Sequence, residues 1–136
     1  MIEPVAKRIL CIDDEPSMQL IVKTCLQTLG GWEVEIAESG AEGLVKAQEL
    51  KPDAIILDVM MPGMDGVTCL QQLRLNAKTQ AIPVVFLTST WSIAERCQFL
   101  TLGAVGVITK PFNPLTLVSQ IAKFLDWNLE TSNVLN

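Results

Sequence analysis

Short runs of consecutive apolar residues alternate along this chain with longer stretches whose apolar positions return every three or four residues. The first run, RILCI from Arg8 to Ile12, has the β-branched content of a buried strand. Pro16 suits the first turn of a helix. Leu20, Ile21, Cys25, Leu26 and Leu29 then carry a helical repeat from Ser17 to Leu29, and Gly30 and Gly31 end it. Val34 and Ile36 alternate with Glu33 and Glu35, the pattern of a strand near a sheet edge. Ser39 is placed to cap a second helix from Gly40 to Leu50, with Ala41, Leu44, Val45 and Ala47 as its apolar positions and Lys51 and Pro52 closing it.

The same alternation continues to the end of the chain. Asp53 to Leu57 reads as a third strand, and MMPGMDG after Asp58 and Val59 holds too many turn formers to extend it. Asp65 can cap a third helix built on Val67, Leu70 and Leu73. Ile82 to Leu87 reads as the fourth strand, and Ile93, Cys97 and Leu100, spaced i, i+4 and i+7, mark a fourth helix that Gly103 terminates. Val105 to Thr109 is the fifth strand. Leu115, Val118, Ala122 and Leu125 are expected to be the buried stripe of a last helix, and the polar tail from Asn128 to Asn136 is expected to fray. Strands alternating with helices predict an α/β fold with right-handed crossovers and a parallel sheet covered on both faces. Alternation alone does not choose among doubly wound strand orders.

Composition narrows the functional classes. At 136 residues the chain is expected to be one domain. Apolar residues make up 49% and charged residues only 18%, which leaves apolar surface for partners. A net charge of −5, with no basic stripe, opposes nucleic acid as a direct ligand. No run is long enough to span a bilayer, and MIEPVAKR lacks the layout of a signal peptide, so the cytoplasm is the expected location. The cysteines, Cys11, Cys25, Cys69 and Cys97, stand singly without CxxC spacing and read as thiols rather than disulfide or zinc partners. Histidine is absent, which excludes a Ser-His-Asp triad and a histidine phosphodonor within this chain.

The candidate chemistry sits at the ends of the apolar runs: Asp13 and Asp14 after the first, Asp58 after the third, Thr88 after the fourth and Lys110 after the fifth. In a parallel α/β sheet such strand ends converge on one edge, where ligands bind. Three carboxylates brought that close repel one another unless a hard cation lies between them, and Mg²⁺ accepts such oxygen ligands. A hydroxyl and an ammonium complete a cradle for phosphate. Each residue alone has a plainer explanation. Asp58 would be a solvated strand end, Asp13 to Glu15 an acidic helix start, Thr88 a β-favouring residue and Lys110 a solvated lysine. Their convergence favours function.

The blocks ILCIDDE, ILDVMMPGMDG, VVFLTST and GAVGVITKPF resemble, in order and spacing, the receiver domain of bacterial two-component response regulators, and the resemblance runs from Lys7 to about Leu125. It implies a flavodoxin-like, doubly wound, five-stranded parallel sheet in the order 2-1-3-4-5 with five helices. Residues 1–127 would form the receiver domain and 128–136 a short tail. By resemblance to stand-alone, chemotaxis-type regulators, Asp58 is the phosphoacceptor and Mg²⁺ is held by Asp13, Asp14, Asp58 and the backbone carbonyl of Met60. Thr88 is the switch hydroxyl, Lys110 binds phosphate and the Lys110–Pro111 peptide is cis. A histidine kinase or histidine phosphotransfer protein would supply the phosphoryl group, and output would be altered binding to a downstream protein. The chain would be a switch with slow self-dephosphorylation, not an enzyme. Met60 and Thr90 occupy positions that control water access in the family.

The chain departs from the family at Val107, where receivers usually carry an aromatic residue that turns inward on activation. Transmission therefore shifts to the loop after Thr88 and the fourth helix. Trp91, Leu117, Phe124 and Trp127 are candidates for a partner surface or for a homodimer through the fourth and fifth helices. Two rival functions stand beside this one. A phosphorylation-independent scaffold is kept alive by Val107. A phosphohydrolase of the haloacid dehalogenase type would need a second acid two residues after its nucleophile, where this chain has Met60.

Overall fold

The computed structural model describes residues 6–128. Strands β1 (Arg8–Ile12), β2 (Glu33–Ala37), β3 (Ala54–Asp58), β4 (Val84–Thr88) and β5 (Gly106–Thr109) pair in parallel in the order β2-β1-β3-β4-β5. The edge position expected of the alternating second strand is the one it takes. Helices α1 (Pro16–Gly30), α2 (Gly40–Leu50), α3 (Gly66–Leu75), α4 (Ile93–Thr101) and α5 (Leu117–Leu125) connect them, with a 3₁₀ turn over Pro114–Thr116. The polypeptide has the flavodoxin-like arrangement.

Alternate residues of the central strands feed two separate cores, because successive side chains of a strand point to opposite faces. Leu10, Ile12, Ile55, Leu57, Val84 and Phe86 pack beneath α2, α3 and α4 with Ala47, Leu70, Leu73 and Phe99. Ile9, Cys11, Ile56, Val85 and Leu87 pack beneath α1 and α5 with Val22, Leu26, Leu117 and Ile121. Every residue of β3 and β4 is buried, which is why those segments read as continuous apolar runs. The strands stay parallel, but the order in which they are added reverses between β1 and β3, the place where open α/β sheets form their ligand crevice.

Local signals start the helices as expected. Pro16 opens α1, Ser39 accepts the Glu42 N–H at 3.1 Å, and Asp65 accepts the Thr68 N–H at 2.8 Å. Two of the strands run one residue further than their apolar content suggests. Asp58 pairs with Leu87 and Thr88 with Thr109 in the sheet register, because ladder hydrogen bonds involve the backbone and ignore side-chain polarity.

Four helices present a different stripe to the core from the one their spacing suggests. In α1, Leu20 and Ile21 face solvent while Val22 and Leu26 point inward. In α2, Ala41 and Val45 face solvent while Gly40, Gly43 and Ala47 are buried. In α4, Ile93 is 78% exposed and Leu100 and Cys97 are also outside, and only Phe99 is buried, its ring centroid 5.1 Å from that of Phe86. The last helix begins later than expected because the 3₁₀ turn takes up Leu115, which is exposed. Its buried stripe is Leu117, Val118, Ile121 and Ala122. Leu117 is therefore not part of a partner surface: it is fully inaccessible, since the helix seats two adjacent apolar residues per turn against α1 and the sheet. Trp127 is half-buried and engaged within the domain, edge-on to Trp32 at 5.2 Å with the Lys7 ammonium 4.7 Å from its ring. Phe124 keeps 38% exposure and Trp91 73%.

No helix among the described residues is long and apolar enough to cross a membrane. The expected fraying of the tail concerns 129–136, outside the described residues.

Candidate functional site

The crevice at the carboxyl ends of β1, β3, β4 and β5 gathers Asp13, Asp14, Asp58, Thr88 and Lys110. β1 and β3 are adjacent, so the residues that follow their last registered pair, Ile12 with Leu57, meet at one point. Carboxylate oxygens of Asp13, Asp14 and Asp58 lie within 4.8 Å of one another. Asp13 and Asp58 are buried and Asp14 is exposed at the rim.

Asp13 is held almost completely. Its N–H donates to the Ala37 carbonyl at 3.0 Å, its Oδ1 accepts the Glu15 N–H at 2.9 Å, and its carbonyl accepts from Gln19 Nε2 at 2.7 Å. Its Oδ2 is buried and has no hydrogen-bond partner among the described residues. An ionised oxygen left so would be costly, so the site calls for a proton or a cation there. Burial, with Asp58 and Asp14 adding to it against the Glu15 N–H and Lys110, pushes the Asp13 carboxyl up to about 6. Burial likewise raises Asp58, opposed first by Lys110, whose Nζ is 3.2 Å from Oδ1, and then by the Met60 N–H at 3.4 Å from the same oxygen.

The raised Asp13 value has a consequence for stability. Between the unfolded carboxyl value of about 4 and the folded value, the folded chain binds more protons, so stability falls as pH rises through that window. In metal-free buffer the denaturation midpoint of the wild type, relative to that of Asp13→Asn, is expected to fall from pH 4 to pH 6 and level off above pH 7. A midpoint difference that is flat across that range would show that Asp13 titrates as it does in the unfolded chain.

Thr88 is buried at the end of β4, and its Oγ1 accepts the Thr90 N–H at 3.1 Å. Among the described residues the hydroxyl has no acceptor of its own, so its hydrogen can turn to a ligand. The Lys110 N–H donates to the Thr88 carbonyl at 2.7 Å, which ties the two strand ends together, and the Lys110–Pro111 peptide is cis. Met60 leads the loop past Asp58 with its side chain exposed. Val107 lies inside the core with Phe86 and Phe99.

Four contributors escape a reading of residue patterns. Gln19 and the Glu15 N–H hold Asp13. Gly66 lies so close beneath Asp58 that a β-carbon there would be 2.4 Å from the Asp58 carbonyl oxygen. Arg96 of α4 donates to the Thr109 hydroxyl, beside Lys110. Contacts from side chain to backbone leave no periodic trace. The only clue in the sequence was Gln19 itself, an amide one turn after an acidic strand end.

A family model described as response regulator receiver domain matches residues 9–122. The transcriptional regulatory protein TrcR of Mycobacterium tuberculosis is 37% identical over 118 residues, which cover 87% of this chain and 45% of TrcR. The DNA-binding dual master transcriptional regulator RpaA of Synechocystis is 37% identical over 118 residues, covering 87% of this chain and 48% of RpaA. This chain spans about half the length of the curated relatives it matches. The chemotaxis response regulator CheY4 of Vibrio cholerae superposes with a TM-score of 0.82 at 35% identity, over 88% of this chain and 99% of that one.

Proposed function

This chain belongs to the response regulator receiver domain family, and on that premise we propose that it accepts a phosphoryl group on Asp58 with Mg²⁺ and signals by altered protein binding. The observation that carries the reading is the acid cluster, in which Asp13 Oδ2 is buried without a donor among the described residues and carboxylate oxygens of Asp13, Asp14 and Asp58 lie within 4.8 Å of one another. Receiver domains bind Mg²⁺ at such an acidic pocket and are switches rather than classical enzymes. Here the ligands would be Asp13, Asp14, Asp58 and the Met60 carbonyl. When bound, the ion neutralises charge shared by the acceptor carboxylate and the phosphoryl oxygens.

The rest is done by the chain itself. A carboxylate oxygen of Asp58 attacks the phosphorus of a phosphohistidine, and the P–N bond breaks as the O–P bond forms, the electron pair returning to the imidazole nitrogen. The donor histidine belongs to a kinase or phosphotransfer partner, because this chain has none. Lys110, already 3.2 Å from Asp58, turns its ammonium to the new phosphoryl oxygens. Thr88 donates its hydroxyl hydrogen to another of them, and the Thr90 N–H bonded to it carries the Ser89 to Trp91 loop along. The acyl phosphate then hydrolyses slowly in place. Residues 1–127 constitute the receiver, in the cytoplasm, and its downstream partner or a second copy binds the exposed apolar side of α4 around Trp91 and Ile93 with Phe124. It makes no direct nucleic-acid contact.

One observation favours a second reading, the phosphorylation-independent scaffold. Val107 fills the core where an aromatic switch would sit, so no side chain there can swing. Intact mass separates the two. After incubation with acetyl phosphate or phosphoramidate, a single phosphoryl adduct is expected with Mg²⁺ and none with EDTA. Absence of the adduct from Mg²⁺-bound protein supports the scaffold. Mg²⁺ alone is also expected to stabilise the fold: at a hundredfold excess over its Kd the gain is about 2.7 kcal/mol, read as a higher melting temperature that EDTA reverses.

A further inference from the structure

We propose that Gln19 is a positioning residue for the metal site, clamping the Asp13 carbonyl so that Asp13 Oδ2 is presented to the ion. This rests on the Mg²⁺ reading above. Three of the four polar groups of Asp13 are already committed: the N–H to Ala37, Oδ1 to the Glu15 N–H, and the carbonyl to Gln19 Nε2 at 2.7 Å. Among the described residues only Oδ2 is left without a partner, in a carboxyl that brings an oxygen within 4.8 Å of oxygens of Asp14 and Asp58. Fixing the carbonyl and Oδ1 together restricts the ψ torsion of Asp13 and its side-chain torsions, so the ion meets an oxygen whose ordering cost has been met in advance.

Gln19 is suited to this by its place on α1. Its own N–H donates to the Glu15 carbonyl at 3.0 Å and so forms part of the first helical turn, while its side chain reaches back across that turn to the strand end. The N-cap residue Glu15 makes no side-chain cap bond. The clamp therefore joins helix start and strand end where ordinary capping does not. Glu15 is bound to Asp13 at one end of the turn and Gln19 at the other, so a displacement of α1 would be felt at Oδ2.

The test is Mg²⁺ affinity by titration calorimetry, with metal-free thermal stability measured in parallel. Gln19→Ala suits the helix but has no donor, and Gln19→Met keeps the bulk without the donor. Both are expected to weaken Mg²⁺ binding by about tenfold, and Gln19→Arg, which regains a donor, is expected to restore most of it. Lowered metal-free stability with unchanged Mg²⁺ affinity in both donor-free variants would overturn the proposal and leave Gln19 a helix staple. Failure of the wild type to bind Mg²⁺ would overturn the metal reading and this inference with it, whereas a binding wild type with insensitive variants overturns only the latter.

Discussion

Asp58→Asn is expected to abolish the Mg²⁺-dependent phosphoryl adduct completely while raising the melting temperature of the metal-free protein. The amide is nearly the same shape and can still accept the Met60 N–H, so the fold is undisturbed. Its oxygen, however, is neutral and a poor nucleophile, and no other group at the end of β3 can replace it. The stability effect follows from the balance of charges. Burial raises the Asp58 pKa in spite of Lys110 at 3.2 Å, so the ionised carboxylate costs the folded state more than its ion pair returns. A neutral side chain removes that cost and one of the three mutually repelling carboxylates. Mg²⁺ should consequently stabilise the variant less than the wild type. Intact mass and melting curves with and without Mg²⁺ test both halves. An adduct of wild-type yield on the variant would move the acceptor to Asp13 or Asp14, and a lower metal-free melting temperature would mean that Lys110 needs its partner more than burial penalises it.

The largest effect from a residue without a functional group is expected at Gly66. A β-carbon built there lies 2.4 Å from the Asp58 carbonyl oxygen and 2.8 Å from Val59 Cα. Both obstacles are backbone, so no rotamer change relieves the clash, and either α3 or the end of β3 must move. Gly66→Ala is therefore expected to cost about 3 kcal/mol. The 2.9 Å bond from the Gly66 N–H to the Val59 carbonyl would be lost or stretched, and Asp58 would shift with it. Adduct formation should slow even at urea concentrations where the protein is fully folded. Gly63→Ala is the comparison. Its φ of +77° is disfavoured for alanine, but nothing lies within 4 Å of the added atom, so only about 1 kcal/mol is expected. Urea midpoints with an unchanged slope would measure the two costs. Equal losses would show that backbone conformation, not contact with β3, governs both positions.

Much of the candidate site was legible because its chemistry lies at strand ends. A carboxylate, hydroxyl or ammonium closing a run of apolar residues stands out against it, and Asp13, Asp58, Thr88 and Lys110 were each identified that way. The same contrast misplaced the ends of β3 and β4, since Asp58 and Thr88 still pair in the sheet. The apolar repeats of α1 and α4 identified helices but not their inward faces. Both helices carry apolar residues on two sides, and spacing has no way to say which side meets the sheet. Leu117 failed for a related reason: Pro114 and the 3₁₀ turn displaced the start of α5, and the buried stripe proved wider than one residue per turn.

By itself the sequence determined the alternation of strands and helices, the caps that start α2 and α3, the carboxylate, hydroxyl and ammonium groups at the strand ends, and the absence of any histidine. These are properties of residues counted along an element's own axis, at a period of about two or 3.6. Tertiary structure alone decided that α4 turns Ile93 outward, that Leu117 is buried, that Gly66 lies against Asp58, and that Gln19 donates to the Asp13 carbonyl while Oδ2 has no donor among the described residues. Such facts depend on how one element sits on another, and on hydrogen bonds between side chain and backbone. Neither has a period, so neither can be read until the chain has folded.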